Sequence, residues 1–297
     1  MAPTFPSFKE FELPDALWFT GFLQSLPPYS DFDFASLWAW DIKGMGRWCV
    51  HRGNLVIAMR DYTTGQTILT FIGTSHLDLT ASDLLELTAR TNREPALHLV
   101  PGVTAEGLNT SRFSVTPSID HDDYVYCVAD HLNYRGRIFR SHRGHVHRFE
   151  RAHASFRVEQ IDALTPAQSR DLLNLWTVWQ GPSSDVVSGE LAAFQRFLAS
   201  AEAFHHVITA MYIDDQVIAF DVTVLDGALR GNSLFAKCDH RFTGVSSVLQ
   251  REVSRALIAL GCTEINFEQD LGLSGLRKAK SGFRPRYKLP KYTVTLG

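Results

Sequence analysis

Carboxylates, glycines and cations crowd into one short stretch near the C-terminus, residues 264–285, EINFEQDLGLSGLRKAKSGFRP. Glu268 and Asp270 are two apart, so an extended chain presents both on one side as it leaves a strand. Gly272 and Gly275 permit unusual backbone angles or the close approach of a substrate. Arg277 and Lys280 are three apart, which on a helical turn puts both cations on one face. Such a set suits a substrate bearing both an amine and phosphates. A salt-bridged turn that ties down the C-terminus has the same composition, and the residues alone leave both readings standing.

Two further segments carry polar patterning. Tyr124 to Phe149 runs from aromatics into Ser141-His142-Arg143-Gly144-His145-Val146-His147-Arg148-Phe149. On a helix His142, His145 and Arg148 or Phe149 share a face. With no Cys or carboxylate at ligand spacing, a metal site is not expected; a phosphate-facing helix is, with a solvated face as the plainer reading. Arg241-Phe242-Thr243-Gly244-Val245-Ser246 falls between a strand and a helix. There Arg241 and Gly244 fit a [QR]-x-x-G-x-[GA] loop, whose backbone N–H groups hold a pyrophosphate, except that Ser246 takes the last position. Lys237, ending the preceding strand, is expected to face the same region, stabilising an oxyanion or pairing with Asp239. Ser183 and Ser184 have no neighbouring motif that would make either a nucleophile.

The elements that must position these residues follow from pattern. Asp15 to Leu26 reads as a helix stopped by Pro27-Pro28, and Asp33 as the N-cap of a second through Trp40. Strand-like runs at 48–51, 55–60 and 67–72, with turns at Gly53-Asn54 and Thr64-Gly65, form an antiparallel meander. A helix over 81–91 and a strand over 96–100 complete this half. After the aromatic strand at Tyr124 and Tyr126, the second half gives helices over 166–179 and 190–201 and a hairpin about Asp214-Asp215. A strand over 229–237, a helix over 245–260 and a strand over 264–268 follow. Helix, helix, meander, helix, strand is the element order of an N-acetyltransferase. The first half reads as a degenerate copy.

Composition bounds the class. The 297 residues are 45% hydrophobic and 21% charged, as in globular proteins, and no stretch is apolar enough to span a bilayer. The N-terminus lacks a basic region followed by an apolar run, and Cys49, Cys127, Cys238 and Cys262 are widely spaced, so a reducing cytoplasm is expected. The net charge of −3 hides segregation. Residues 135–157 carry seven arginines against Glu150, and 277–291 carry seven cations and no acid. Two such stretches on an otherwise acidic chain point to a local anionic partner.

Together, Ser30 to Trp40 (SDFDFASLWAW), Asp123 to Phe149 (DYVYCVADHLNYRGRIFRSHRGHVHRF) and Ile265 to Pro285 (INFEQDLGLSGLRKAKSGFRP) make the chain resemble the C-terminal domain of phosphatidylglycerol lysyltransferases. The resemblance spans nearly the whole chain, and the D-L-G-x-x-G-L-R-x-A-K core is its most specific part. It implies an α+β protein of two tandem acetyltransferase-like (GNAT-type) domains, each a mixed sheet flanked by helices. Residues 1–119 would form the first, 120–157 a basic connecting segment, and 158–297 the second, carrying the active site. It also implies transfer of an amino acid from aminoacyl-tRNA to the hydroxyl or amine of a lipid or small molecule. Where the family reads K-R-N-H-x-N-R-F, this chain has His142 to Phe149, losing two asparagines and a lysine.

On that reading Asp270, with Glu268, holds the donor's α-ammonium or assists proton removal, beside Gly272, and Lys237 lies near the developing oxyanion. Arg277 and Lys280 hold terminal phosphates of the tRNA, and Arg143, His145 and Arg148 extend the anionic track. No cofactor is expected. The placement is cytoplasmic, with peripheral contact at the inner membrane face as its extension. An acyl-CoA-dependent N-acyltransferase using Arg241 and Gly244, and a binding relative without catalysis, are the alternatives.

Overall fold

The structure, a computed structural model, describes residues 2–61, 64–90, 92–180, 189–227 and 229–297, and the side chains of these except 178–180. The expectations for Thr91, Ser183, Ser184 and the Trp179 side chain lie outside the described residues.

The first half comprises β1 (Lys9–Glu10), α1 (Ala16–Leu23), α2 (Phe34–Trp40), β2 (Arg47–His51), β3 (Asn54–Arg60), β4 (Thr67–Ile72), α3 (Leu77–Ala89), β5 (Leu97–Pro101), α4 (Gly102–Ala105) and β6 (Phe113–Pro117). Next come β7 (Asp123–Cys127), α5 (Val128–Asn133), α6 (Arg140–Ala152), β8 (Arg157–Ile161), α7 (Pro166–Gln180) and α8 (Glu190–Leu198). The chain then runs through β9 (His206–Ile213), β10 (Gln216–Leu225), β11 (Gly231–Cys238), α9 (Val245–Ala259), β12 (Glu264–Asn266), α10 (Ser274–Gly282), β13 (Tyr287–Leu289) and β14 (Lys291–Leu296).

Local chemistry explains the elements that the sequence announced. Asp33 caps α2 by accepting from the Ser36 N–H at 2.8 Å. Asp214 and Asp215 both take positive φ, 49° and 61°, the geometry of a tight hairpin turn between β9 and β10. The β2–β3 turn falls one residue earlier than expected, on Arg52 and Gly53 at φ 49° and 84°. Asn54 instead opens β3, because its buried amide donates to the Ser75 carbonyl and Thr80 Oγ1.

Among the described residues the strands form three sheets, ordered β1-β2-β3-β4, β5-β14-β6 and β13-β7-β12-β11-β10-β9-β8. The central strands β9 and β10 are buried along almost their whole length, which fits a sheet covered on both faces. One face packs against α5, α6 and α9, and the other against α7, α8 and α2. Segment 120–157, expected to connect the halves, is built into the second: β7 lies inside the seven-stranded sheet, and α5 and α6 pack on α9. The C-terminal strand β14 crosses back between β5 and β6. Mixed sheets with flanking helices are thus the architecture, as expected, but the second half lends its C-terminal strand β14 to the first.

Candidate functional site

The site begins where two parallel strands part. β12 pairs with β11 only through Gly231↔Ile265 and Asn232↔Asn266, after which β11 runs on to Cys238. The other chain stays with β7: the Phe267 N–H donates to the Tyr124 carbonyl at 2.9 Å, and the Tyr124 N–H to the Glu268 carbonyl at 3.2 Å. Asn266 fixes the departure. Its amide donates to Pro28 O and Asp123, and its Oδ1 accepts from the Glu268 N–H at 2.7 Å. Glu268 and Leu271 consequently hold positive φ, 57° and 53°, which is unusual for residues with side chains.

The parting leaves a cavity of about 650 Å³ between β11 and residues 267–271. Leu249 of α9, Leu276 and Ala279 of α10, Phe267, Phe283 and Trp40 give it a largely apolar lining. Into it face a few polar groups: Asp31, Glu268, Gln269 and Lys280, together with Asp221, Ser233, Lys237 and Glu190. A mainly apolar pocket with a small convergent polar set is the form of a ligand site.

Burial sets the protonation behaviour of those groups. It pushes the Glu268 carboxyl up against the opposing influence of Lys280, and pulls the Lys280 ammonium down against Glu268. Lys280 donates to the Gln269 carbonyl, and Asn232 to Glu268 at 3.4 Å. Lys237 is also pulled down by burial; it pairs with Glu190 at 2.8 Å and lies 4.4 Å above the Trp176 ring. Asp221, pushed up to about 6 by burial, accepts from Thr223 and Ser233 hydroxyls at 2.5 Å each. Beneath the cavity Lys291, wholly buried, contacts Asp31 and lies 2.7 Å from Asp123. Burial alone would lower that lysine; the two carboxylates outweigh it and raise it.

The expected site residues separate in space. Lys280, Glu268 and Lys237 line one cavity. Asp270, Gly272 and Arg277 do not. Asp270 is fully buried, and its oxygens accept from Tyr124 Oη at 2.6 Å, the Gly272 N–H at 2.9 Å and Arg277 at 2.9 Å. Burial would raise its carboxyl, but these donors hold it at about 2, so it is a poor proton acceptor and a good anchor. Arg277 is spent on Asp270 and Asp120. The close approach at Gly272 is to Asp120, whose Oδ2 a Cβ would meet at 2.9 Å. Arg277 and Lys280 therefore diverge instead of forming one cationic face: one locks the loop, the other enters the cavity.

The basic stretches divide likewise. Arg143 donates to the Tyr134 and Gly136 carbonyls, which takes it out of any anionic track. His142, Val146 and Phe149 form the inward face of α6, with His145 half-buried, while Arg140, Arg148 and Arg151 stand exposed. In the second stretch Arg286 and Lys288 lie near Glu264 and Asp122, and Lys291 is buried, leaving Lys278 and Arg284 exposed. At the strand-to-helix loop Arg241, not Lys237, pairs with Asp239, at 2.6 Å. Gly244 abuts α6, where a Cβ would sit 2.6 Å from the His145 carbonyl. Among the described residues no three His, Cys, Asp or Glu cluster as metal ligands, and no helix is long and apolar enough to cross a membrane.

Sequence reasoning missed Asp31, Lys291, Glu190 and Asp221. Asp31 stands in the sequence only as one residue of Ser30 to Trp40, and Lys291 only as the last cation of the basic run 277–291. Their meeting depends on β14 returning to the first half.

A family model described as phosphatidylglycerol lysyltransferase, C-terminal, matches residues 24–295. No curated protein sequence matches the chain. Among solved structures, a conserved protein of unknown function from Bacteroides thetaiotaomicron superposes with a TM-score of 0.86 at 23% identity, covering 100% of both chains. L-PGS from Bacillus licheniformis gives 0.65 at 13% identity, over 95% of this chain and 92% of that one. FemX gives 0.62 at 9%, over 98% and 97%. These likenesses carry the fold alone, mixed sheets with flanking helices.

Proposed function

The chain belongs to the phosphatidylglycerol lysyltransferase C-terminal family, and from that premise we propose that it moves an amino acid from aminoacyl-tRNA to a hydroxyl or amine of a lipid or small molecule. The observation that carries the proposal is the pair Glu268 and Lys280, a carboxyl pushed up and an ammonium pulled down by burial in an otherwise apolar cavity.

An aminoacyl ester is already activated, so no covalent enzyme intermediate is needed. The acceptor oxygen or nitrogen forms a bond to the ester carbonyl carbon, and the bond to the ribose oxygen breaks. Glu268, with its raised affinity for protons, takes the acceptor's proton. Lys280, held by the Gln269 carbonyl, stabilises the tetrahedral oxyanion and supplies a proton to the departing ribose oxygen. Lys237 and Glu190 orient the acceptor from the β11 side. Asp270 and Arg277 fix the loop that carries Glu268, and the exposed Arg140, Arg148 and Arg151 receive tRNA phosphates. The apolar lining favours an acceptor with a hydrocarbon portion.

Against the acyl-CoA alternative stand Ser246, which takes the last position of the loop, and Arg241, which is engaged by Asp239 at 2.6 Å. The test is transfer of radiolabel from charged tRNA into lipid or small-molecule fractions, by the wild type and Glu268→Gln. Loss of label transfer in the variant at unchanged folding supports the assignment. Full activity of Glu268→Gln removes Glu268 from the chemistry.

A further inference from the structure

Helix α10 supplies one wall of the cavity and carries Lys280, whose ammonium is desolvated there, yet every residue of the helix keeps part of its surface exposed. Apolar packing holds it mainly through Phe283, just past its end, so its place depends also on polar contacts at its two ends. Before the helix the Asp270–Arg277 pair ties it to the loop. At the far end lie the last-turn carbonyls, which every helix leaves without an internal partner. Here side chains from other elements take three of the carbonyls at this end. Tyr126 Oη donates to Lys280 O at 2.8 Å, His142 Nε2 to Gly282 O at 3.0 Å, and His131 Nε2 to Phe283 O at 2.8 Å.

Of these three, His142 comes from the basic helix α6 and has the most fully determined ring. A carbonyl can only accept, so Nε2 carries the proton. Nδ1 of the neutral ring then accepts from the Ser247 hydroxyl of α9 at 2.9 Å. The ring stacks on Tyr134 at 5.0 Å and on Phe283 at 4.6 Å. Tyr134 is itself fixed by its hydroxyl to the Ser247 carbonyl at 2.8 Å. Three elements, α6, α9 and α10, thus meet at one imidazole.

We infer that His142 is a positioning residue of the cavity: by donating to the Gly282 carbonyl it fixes the last turn of α10, and with it Lys280, against α9. It touches no reacting atom and acts through the helix. The inference rests on the proposed transfer reaction only for its activity readout.

The test compares His142→Ala, His142→Phe and His142→Gln in the full chain by amide hydrogen exchange across 274–283, without substrate. Phe keeps the stack and loses the donor, whereas Gln restores an N–H donor at similar reach. Alanine and Phe should each speed exchange of α10 about tenfold, the effect of one lost buried hydrogen bond, and Gln should return it to near the wild-type rate. Ser247→Ala, which frees the ring without removing it, should accelerate exchange about two- to threefold, a part of that same hydrogen-bond effect, and serves if the His142 variants fail to fold. In transfer assays kcat should fall with KM for tRNA unchanged, again rescued by Gln. Wild-type exchange in His142→Phe, or in Ser247→Ala, would overturn the inference. If the wild type transfers nothing, the reaction assignment fails while the exchange result still decides the role of His142.

Discussion

Replacing Asp270 with Asn distinguishes an anchor from a proton acceptor, because the two roles move different observables. The carboxylate meets donors on every side: the Tyr124 hydroxyl, the Gly272 N–H and the Arg277 guanidinium. An Asn amide would turn an N–H₂ group toward at least one of them. The native contacts hold the carboxyl at about 2, against an ordinary 3.8. A displacement of that size is worth roughly 2–3 kcal/mol of folding free energy. Because the folded-state value lies below the unfolded one, this stabilisation is complete above about pH 4 and disappears as the pH falls through 2. Urea denaturation at neutral pH should therefore show Asp270→Asn destabilised by about 2–3 kcal/mol, a midpoint lower by roughly 1 M. The gap should narrow steadily between pH 4 and the acid limit of the fold. Well below its midpoint the variant should keep turnover within about tenfold, since the cavity groups are intact. An unchanged midpoint with turnover abolished would instead make Asp270 the proton acceptor and rule out its role as an anchor.

Other consequences are as direct. Glu268→Gln should lower turnover by about 10²–10³ without loss of stability. The raised carboxyl makes wild-type stability fall, relative to the variant, as pH rises beyond the usual carboxylate range, which denaturation at several pH values will show. Reversing Arg140, Arg148 and Arg151 to Glu should weaken tRNA binding and flatten its salt dependence by about one unit of slope for each phosphate no longer neutralised, measured by filter binding across a salt series. Gly244→Ala adds a Cβ 2.6 Å from the His145 carbonyl at a φ of +93°; it should cost about 1–3 kcal/mol, read as a lower thermal midpoint.

Short-range chemistry was legible in the sequence. The Asp33 cap and the Asp214-Asp215 hairpin each depend on neighbouring residues, and the structure reproduces them. The density of function in residues 264–285 was legible too. What the motif could not show was how its charges divide. Spacing placed Arg277 and Lys280 on one face, but Asp120, 157 residues away, claims Arg277 together with Asp270. The seven cations of 277–291 looked like a phosphate surface, whereas Lys291 is the buried partner of Asp31 and Asp123. Those pairings follow from β14 crossing to the first half and β7 entering the seven-stranded sheet, long-range events without a local signal. Asp221 and Glu190 escaped notice for the same reason, since β10 and the start of α8 bring them to the cavity.

Aminoacyl transfer itself is best probed by incubating the purified protein with radiolabelled aminoacyl-tRNAs and a cell extract, with and without RNase pretreatment, beside the Glu268→Gln and Lys280→Met variants. Label should move into a lipid or small-molecule fraction, be abolished by RNase and be lost in both variants. Charged tRNA bound with no transfer to any acceptor, or transfer that survives RNase and responds to acyl-CoA, would contradict the proposed reaction.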